Sequence, residues 1–280
     1  MIRNMKNIEL QRHANHIRKN ILDMVYAAQS GHPGGSLSAT DVLTYLYFEE
    51  LNITKENIGG LDRNRFVLSK GHASPVLYGT LTEAGLIDED LKSFRQLNTK
   101  LQGHPSMKML KGVDMSTGSL GQGASVSVGM AIANKLDNNG HNIYTLVGDG
   151  ESEEGIIYEA MMAASHYKLD NLCFILDLNH LQIDGRIEDV MNPTPHKEKF
   201  EAFGWKVAEC DGHNFDSIRQ AFDIFHNTKE QPTVIIAHTV KGKGISFMEN
   251  NAGWHGVAPK EDEYHKALAE LDEMEAKLND

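Results

Sequence analysis

The stretch Ile143-Tyr144-Thr145-Leu146-Val147-Gly148-Asp149-Gly150 decides how this chain reads. Its first five residues are a short run rich in β-branched and aromatic side chains, as expected of a strand covered on both faces. Gly148-Asp149-Gly150 ends the run, and Glu153 to Tyr167 then has helical spacing. A glycine-flanked carboxylate at the carboxyl end of a parallel strand sits where open α/β sheets bind ligands. Gly150 has no side chain to keep a phosphate from its backbone N–H. The helix that follows would aim its positive end at the same place.

The same pattern extends on both sides. Leu172 to Leu176, Trp205 to Ala208 and Thr233 to Ala237 are further strand candidates, separated by a short helix closing at Phe200 to Phe203 and a helix over Phe215 to Phe225. Upstream, Arg65 to Leu68 is a short strand candidate, and the Ala/Gly-rich stretch Leu120 to Leu136 predicts a buried, closely packed helix. Ile17, Ile21, Val25 and Ala28 recur at helical spacing within the first 30 residues. Gly31-His32-Pro33-Gly34-Gly35 is expected to break that helix, and Ser38-Ala39-Thr40-Asp41 has the capping-box pattern before Val42 to Phe48. Strands alternating with helices imply right-handed βαβ crossovers, hence an α/β fold with a mostly parallel sheet flanked by helices. No Pro/Gly/Ser-rich linker divides the chain, so residues 1–280 are expected to form one domain. It closes with an amphipathic helix at about 260–280, striped by Leu268, Leu271 and Leu278 and carrying eight acids and three bases.

Composition narrows the function classes. With 40% hydrophobic and 24% charged residues, the chain is neither disordered nor fibrous. No stretch approaches the roughly 18 apolar residues of a membrane helix, and Met-Ile-Arg-Asn-Met-Lys-Asn lacks an apolar signal region. Two cysteines, Cys173 and Cys210, make no disulfide framework, so a cytoplasmic location without membrane attachment is expected. A net charge of −12 argues against a nucleic-acid surface.

Three features carry chemistry. First, Asn179, 29 positions after Gly150, follows the next strand and could reach the crevice of Asp149. A carboxylate and an amide oxygen from neighbouring strand ends suit a hard divalent ion whose other ligands are water and a diphosphate. Second, His32, His72, His104 and His255 each lie beside a glycine in an expected loop. Imidazoles there can bind phosphate or hydroxyl groups and move protons near neutral pH. Zinc is the rival reading, and the spacings of 40, 32 and 151 residues, with no short ligand pair, disfavour it. Third, Ser116-Thr117-Gly118-Ser119-Leu120-Gly121-Gln122-Gly123 runs into a helix and allows close backbone approach to a flat or charged ligand. It is not a Walker motif, because no lysine follows the last glycine, and it fits the dinucleotide fingerprint poorly.

Taken together these residues resemble the transketolase family. The resemblance rests on Ser30-Gly31-His32-Pro33-Gly34, Lys70-Gly71-His72-Ala73, Gly103-His104-Pro105, the Ser116 to Gly123 stretch, Gly148-Asp149-Gly150 with Glu154-Gly155, Asp177-Leu178-Asn179 with Ile183-Asp184-Gly185, and Lys241-Gly242-Lys243-Gly244 with His255-Gly256. It implies a thiamine diphosphate-binding module with a divalent metal, magnesium or else calcium or manganese, held by Asp149, Asn179 and the Leu181 carbonyl. Gly150 and the neighbouring Glu151 would border the diphosphate, and Gly118, Ser119 and Leu120 would pack against the cofactor. His72 and His255 would lie beside the diphosphate and the reacting centre, and His32 and His104 would meet sugar hydroxyls and shuttle protons. Glu154 would lie at a subunit contact between two cofactor sites.

The resemblance also implies what to look for elsewhere. Members of the family are commonly about twice as long, and their second module supplies the acid, the stacking aromatic and the phosphate-gripping arginines. The expectation is therefore the N-terminal subunit of a split transketolase, assembled as α₂β₂ and inactive without its partner, a C-terminal transketolase subunit. Its substrates would be sugar phosphates. Another thiamine diphosphate enzyme of the deoxyxylulose-phosphate-synthase kind, a transketolase for a modified sugar, and a non-catalytic scaffold subunit stay open as alternatives.

Overall fold

A computed structural model describes residues 5–278. Among these the helices are α1 (Asn7–Ala28), α2 (Pro33–Ser38), α3 (Thr40–Tyr45), α4 (Ser74–Glu83), α5 (Gln122–Leu136), α6 (Gly155–His166), α7 (Ile187–Val190), α8 (His196–Ala202), α9 (Phe215–Asn227) and α10 (Glu261–Lys277). The strands are β1 (Arg65–Leu68), β2 (Ile143–Gly148), β3 (Leu172–Leu178), β4 (Leu181–Gln182), β5 (Gly185–Arg186), β6 (Lys206–Asp211) and β7 (Thr233–His238).

Five strands form one parallel sheet in the order β1-β2-β3-β7-β6, as the alternation of elements implied. β4 and β5 make a small antiparallel hairpin directly after β3. The register sets Gly148 beside Asp177 and Leu178 beside His238. The chain therefore leaves β2, β3 and β7 at nearly the same height, which brings Asp149, Asn179 and Thr239 to one edge.

Alternating side chains divide the sheet between two cores. Tyr144, Leu146, Cys173, Ile175, Ile235 and Ala237 pack with Tyr45 of α3 and Phe222 and Phe225 of α9. On the other face Ile143, Val147, Phe174, Leu176, Val234 and Ile236 pack with Val128 of α5, Ile157 and Met161 of α6, and Trp205. The small residues Ala124, Ala131, Ala160 and Ala164 let α5 and α6 lie close together. The Trp205 indole donates to the Met161 carbonyl at 3.0 Å, so its one polar atom is satisfied in the dry layer. Each such buried aromatic contributes roughly 2–3 kcal/mol of burial.

The first helix stops at Ala28, ahead of the glycine-rich stretch, as expected, but a new helix, α2, starts inside that stretch at Pro33. Proline at the first helical position loses no hydrogen bond, and its fixed φ begins the helix. The capping box at Ser38 does not form. The Ser38 hydroxyl donates instead to the Asp177 carboxylate at 2.6 Å, and Asp41 is taken by Arg18 at 2.6 Å and His213 at 2.7 Å. Tertiary partners outcompete a local cap where every residue of the segment is buried. Helix α6 also starts later than read, at Gly155, because a 3₁₀ turn over Gly150–Glu153 comes first. The acidic C-terminal stretch forms α10 and docks on α1, where Tyr264 stacks on Tyr26 at 4.0 Å and donates to Asp23 at 2.6 Å. Asp280, counted in that stretch, lies outside the described residues.

Candidate active site

Four strand ends wall a cavity of about 360 Å³. From the end of β1 comes Lys70-Gly71-His72, from β2 Asp149, from β3 Asn179 and Leu181, and from the segment after β7 Lys241 and His255. The turn between α1 and α2 adds His32. Gly71 permits this convergence, since a Cβ there would sit 2.8 Å from the Thr117 backbone.

Asp149 is only 3% exposed, and its carboxylate is fixed by backbone donors. Gly150 N–H donates to Oδ1 at 2.8 Å, while Asn179 and His180 N–H donate to Oδ2 at 2.9 and 2.6 Å. His180 takes a left-handed backbone, φ 62°, at the tight turn into the β4-β5 hairpin. The Asn179 amide is oriented on both sides. Its Nδ2 donates to Asp177 at 3.1 Å, and its Oδ1 accepts the Leu181 N–H at 3.1 Å. The amide oxygen thus faces the hairpin loop, with a second lone pair left over.

Two buried lysines complete the polar wall. Lys70 ion-pairs with Asp177 and donates to the Gly35 carbonyl at 2.8 Å. Asp177 stays ionised despite full burial because Lys70 holds it, helped by Ser38 and by Thr239, which donates at 2.5 Å. Lys241 is 2% exposed and has no such close carboxylate. Its Nζ donates to the Leu181 carbonyl at 2.7 Å and to His255 Nδ1 at 2.9 Å. Burial pushes its pKa down to about 8, against the pull of Asp149. Burial, then the nearby Asp177, pushes Asp149 up to about 6.

His32, His72 and His255 form a triangle of rings with centroids 5.2, 5.3 and 5.4 Å apart. Burial is the largest cause holding all three neutral, with nearby cations adding to it. His32 falls to about 4, His255 to about 3, and His72 well below the ordinary value. Neutral imidazoles can accept a proton at one nitrogen while donating from the other.

The remaining sequence-derived candidates are spread more widely. Gly118, Leu120, Gly150, Glu151 and Glu154 line the cavity. The Glu151 carboxylate, however, is engaged by the Ser69 hydroxyl at 2.5 Å and the Gly121 and Gly148 N–H groups at 2.8 and 2.9 Å. It ties the edge of the sheet to the turn before α5. Ser119 is exposed and lies off the cavity wall. His104 stands apart from the triangle in an adjoining open hollow with Ser30, Arg95 and Gln102. It still reaches the wall, since a Cβ on Gly118 would lie 3.4 Å from its ring. Lys70, Lys241 and Asp177 stand within the quoted motifs, but sequence reasoning gives them no role in the site. The signal available is a lysine beside glycine just past a strand end.

The donors suit the groups the sequence implied. Asp149, the Asn179 amide oxygen and the Leu181 carbonyl are hard oxygen donors, the set magnesium or calcium takes. In this structure the Lys241 ammonium lies against the Leu181 carbonyl, a cation already standing where a metal would be drawn. A dry lysine with a lowered pKa is relieved by an anion beside it, which is what a diphosphate supplies. Among the described residues no three His, Cys, Asp or Glu side chains gather as a metal cluster.

The arrangement is that of a doubly wound α/β protein with its ligand cavity across the carboxyl edge of a parallel sheet. The family model described as transketolase, thiamine diphosphate binding domain, matches residues 9–275, and the chain belongs to that family. It is 42% identical over 275 residues to one subunit of the apulose-4-phosphate transketolase of Phocaeicola vulgatus, covering 98% of this chain and 97% of that one. It is also 42% identical over 268 residues to the 6-deoxy-6-sulfo-D-fructose transketolase subunit SqwG of Clostridium sp. strain MSTE9, covering 95% of this chain and 98% of that one. The crystal structure of transketolase from Campylobacter jejuni superposes with a TM-score of 0.84 at 36% identity, over 98% of this chain and 48% of the other. The chain thus spans about half the length of the solved structures it matches.

Proposed function

We propose that this chain is the diphosphate-binding subunit of a two-subunit, thiamine diphosphate- and divalent metal-dependent transketolase that moves a two-carbon ketol unit from a ketose to an aldose. The observation that carries the reading is the meeting of the Asp149, Asn179 and Leu181 oxygens, the Lys241 ammonium and the ring triangle in one cavity. When bound, thiamine diphosphate supplies the nucleophilic carbon and the electron sink for carbon–carbon cleavage. Asp149, Asn179 and Leu181 would hold magnesium, or else calcium or manganese. Lys70, Lys241 and the Gly150 N–H would hold the diphosphate. His72 and His255, neutral near pH 7, would flank the reacting centre, and His32 with His104 would orient sugar hydroxyls and carry protons between them. Glu154, exposed at the cavity rim, would meet a second subunit.

An α₂β₂ assembly with a partner subunit belongs to the same proposal. Its support is that two relatives matched over nearly their whole length are each named as one subunit of a transketolase. Those names also favour a sugar that departs from the ordinary pentose phosphates. Calorimetry tests the cofactor reading. Thiamine diphosphate with magnesium should bind the wild-type chain and not Asp149→Ala. Mixing with the partner subunit tests turnover, and failure to transfer a ketol unit from any ketose, modified sugars included, would sink the reading.

A further inference from the structure

Arg95 lies outside the cavity, in a segment that no motif above touches, yet it joins the two loops that carry His32 and His104. Its Nη1 donates to the Ser30 hydroxyl at 2.8 Å, two residues before His32. The flat of its guanidinium covers Gly103, the residue before His104. A Cβ on Gly103 would meet Arg95 Nε at 2.9 Å, Cζ at 3.1 Å and Nη2 at 3.2 Å. Phe94, fully buried, sits under the first loop in the same way, 3.3 Å from where a Cβ on Gly31 would be. The second loop is tied from its far side to α4, where Ser74 donates to the Gly103 carbonyl and Tyr78 to the Gln102 carbonyl, both at 2.8 Å. Arg95 itself takes a left-handed backbone at φ 59°, unfavourable for a bulky residue, closed by its N–H to the Leu101 carbonyl at 3.0 Å.

No carboxylate compensates the cation. Among the described residues Arg95 makes no ion pair, its Nε is buried without a partner, and its guanidinium carbon lies 5.5 Å from the centre of the Phe94 ring. Arg95 is half-buried, and its charge bears on the His32 and His104 imidazoles.

We propose that Arg95 is a positioning residue that sets the spacing of the His32 and His104 loops and places a positive charge, paired with no carboxylate, beside the two imidazoles that exchange protons with the sugar. Burial is the first cause of the lowered pKa at each ring and Arg95 the second. His32 also faces His104, Lys241 and the rings of His72 and His255. The assignment of these two histidines to the sugar rests on the function proposed above. The geometry and the field do not, so the test is made on the chain by itself.

Histidine Cε1 protons of the full chain are followed by NMR as a function of pH. In Arg95→Met both His32 and His104 should titrate at higher pH than in the wild type. In Arg95→Lys, which keeps a charge but cannot bridge Ser30 and Gly103 with a planar fork, both should return most of the way to the wild-type positions. If Arg95→Met does not fold, Arg95→Gln keeps a donor for Ser30 while removing the charge, and the same upward shift is expected. Unchanged titrations without the charge, or a lysine variant that behaves like methionine, overturn the proposal. Neither result touches cofactor binding, which the calorimetry above reads separately.

Discussion

Lys241 and His255 are joined by a 2.9 Å hydrogen bond in which the ammonium donates to Nδ1. That bond assigns the ring: His255 is neutral, with its remaining proton on Nε2, facing away from Lys241. The lysine thus orients an imidazole and, with the Leu181 carbonyl, marks the anion side of the cavity. Replacing Lys241 by Met removes a charge-assisted contact worth about 2 kcal/mol. Thiamine diphosphate affinity with magnesium should fall about 30-fold in calorimetric titration. Unaltered affinity would show that the diphosphate does not lie against Lys241.

Glu151 makes a different kind of contribution. Its buried carboxylate accepts from Ser69, Gly121 and Gly148 and so fixes three chain segments around the cavity. Glu151→Ala leaves the Ser69 hydroxyl and the Gly121 and Gly148 N–H groups without their acceptor. The loss should be about 3 kcal/mol or more, a drop of roughly 6 °C or more in melting temperature by circular dichroism. Glu151→Gln should be milder, since its amide oxygen still accepts while its NH₂ meets a donor.

These two residues mark the boundary of what the sequence makes legible. Asp149 stands out because its apolar run stops at glycine, Asn179 because it follows the next apolar run, and the histidines because each lies beside a glycine. The strands over 65–68, 143–148 and 172–178 could be read as short, largely apolar runs. Glu151, beside Asp149, looks like another cavity acid. That its partners are Ser69 and Gly121 depends on how β1 and α5 pack, which no local pattern encodes. Ser38 shows the converse. It has a good local capping signal, overridden because the segment is buried and Asp177 lies within reach. Lys241 is hidden by its ordinary surroundings, a basic, glycine-spaced loop that gives no sign of being dry.

Close packing of the Gly-rich turn gives a paired prediction. Gly123, in the first turn of α5, lies where a Cβ would be 2.7 Å from Ser69 Cα, a backbone atom that cannot swing aside. Gly129, two turns on in the same helix, has open space around it. Gly123→Ala should push α5 away from the end of β1 and destabilise the chain by about 1–3 kcal/mol. Gly129→Ala should instead stabilise it by up to about 1 kcal/mol, since alanine is the better helix former. Thermal melts of the two variants should therefore move in opposite directions, and equal shifts would mean the Gly123 contact carries no strain.

Helix α10 is held on α1 by a chain of charges that titrates. His16 lies between Glu83 and Glu275, 3.0 Å from each, and Lys19 pairs with Glu275 and, at 2.8 Å, with Asp272. Burial opposes a charge on His16, but the two carboxylates prevail and raise its pKa above 6.5. Lys19 first, then His16, holds Glu275 down to about 2. The signs differ. A raised histidine stabilises the docked helix below 6.5 and loses that contribution as pH rises through its folded value. A depressed carboxylate stabilises above its ordinary 4.5 and loses it as pH falls towards 2. Docking should therefore be tightest between about 4.5 and 6.5. The His16 side chain is 41% exposed, so solvent screening limits its part to about 0.5 kcal/mol, or roughly twofold. Hydrogen exchange, corrected for intrinsic rate, should show α10 amides about twofold less protected at pH 8.5 than at pH 6. His16→Gln should abolish the difference and 0.5 M salt should shrink it. A pH dependence that survives His16→Gln would place the titrating group elsewhere.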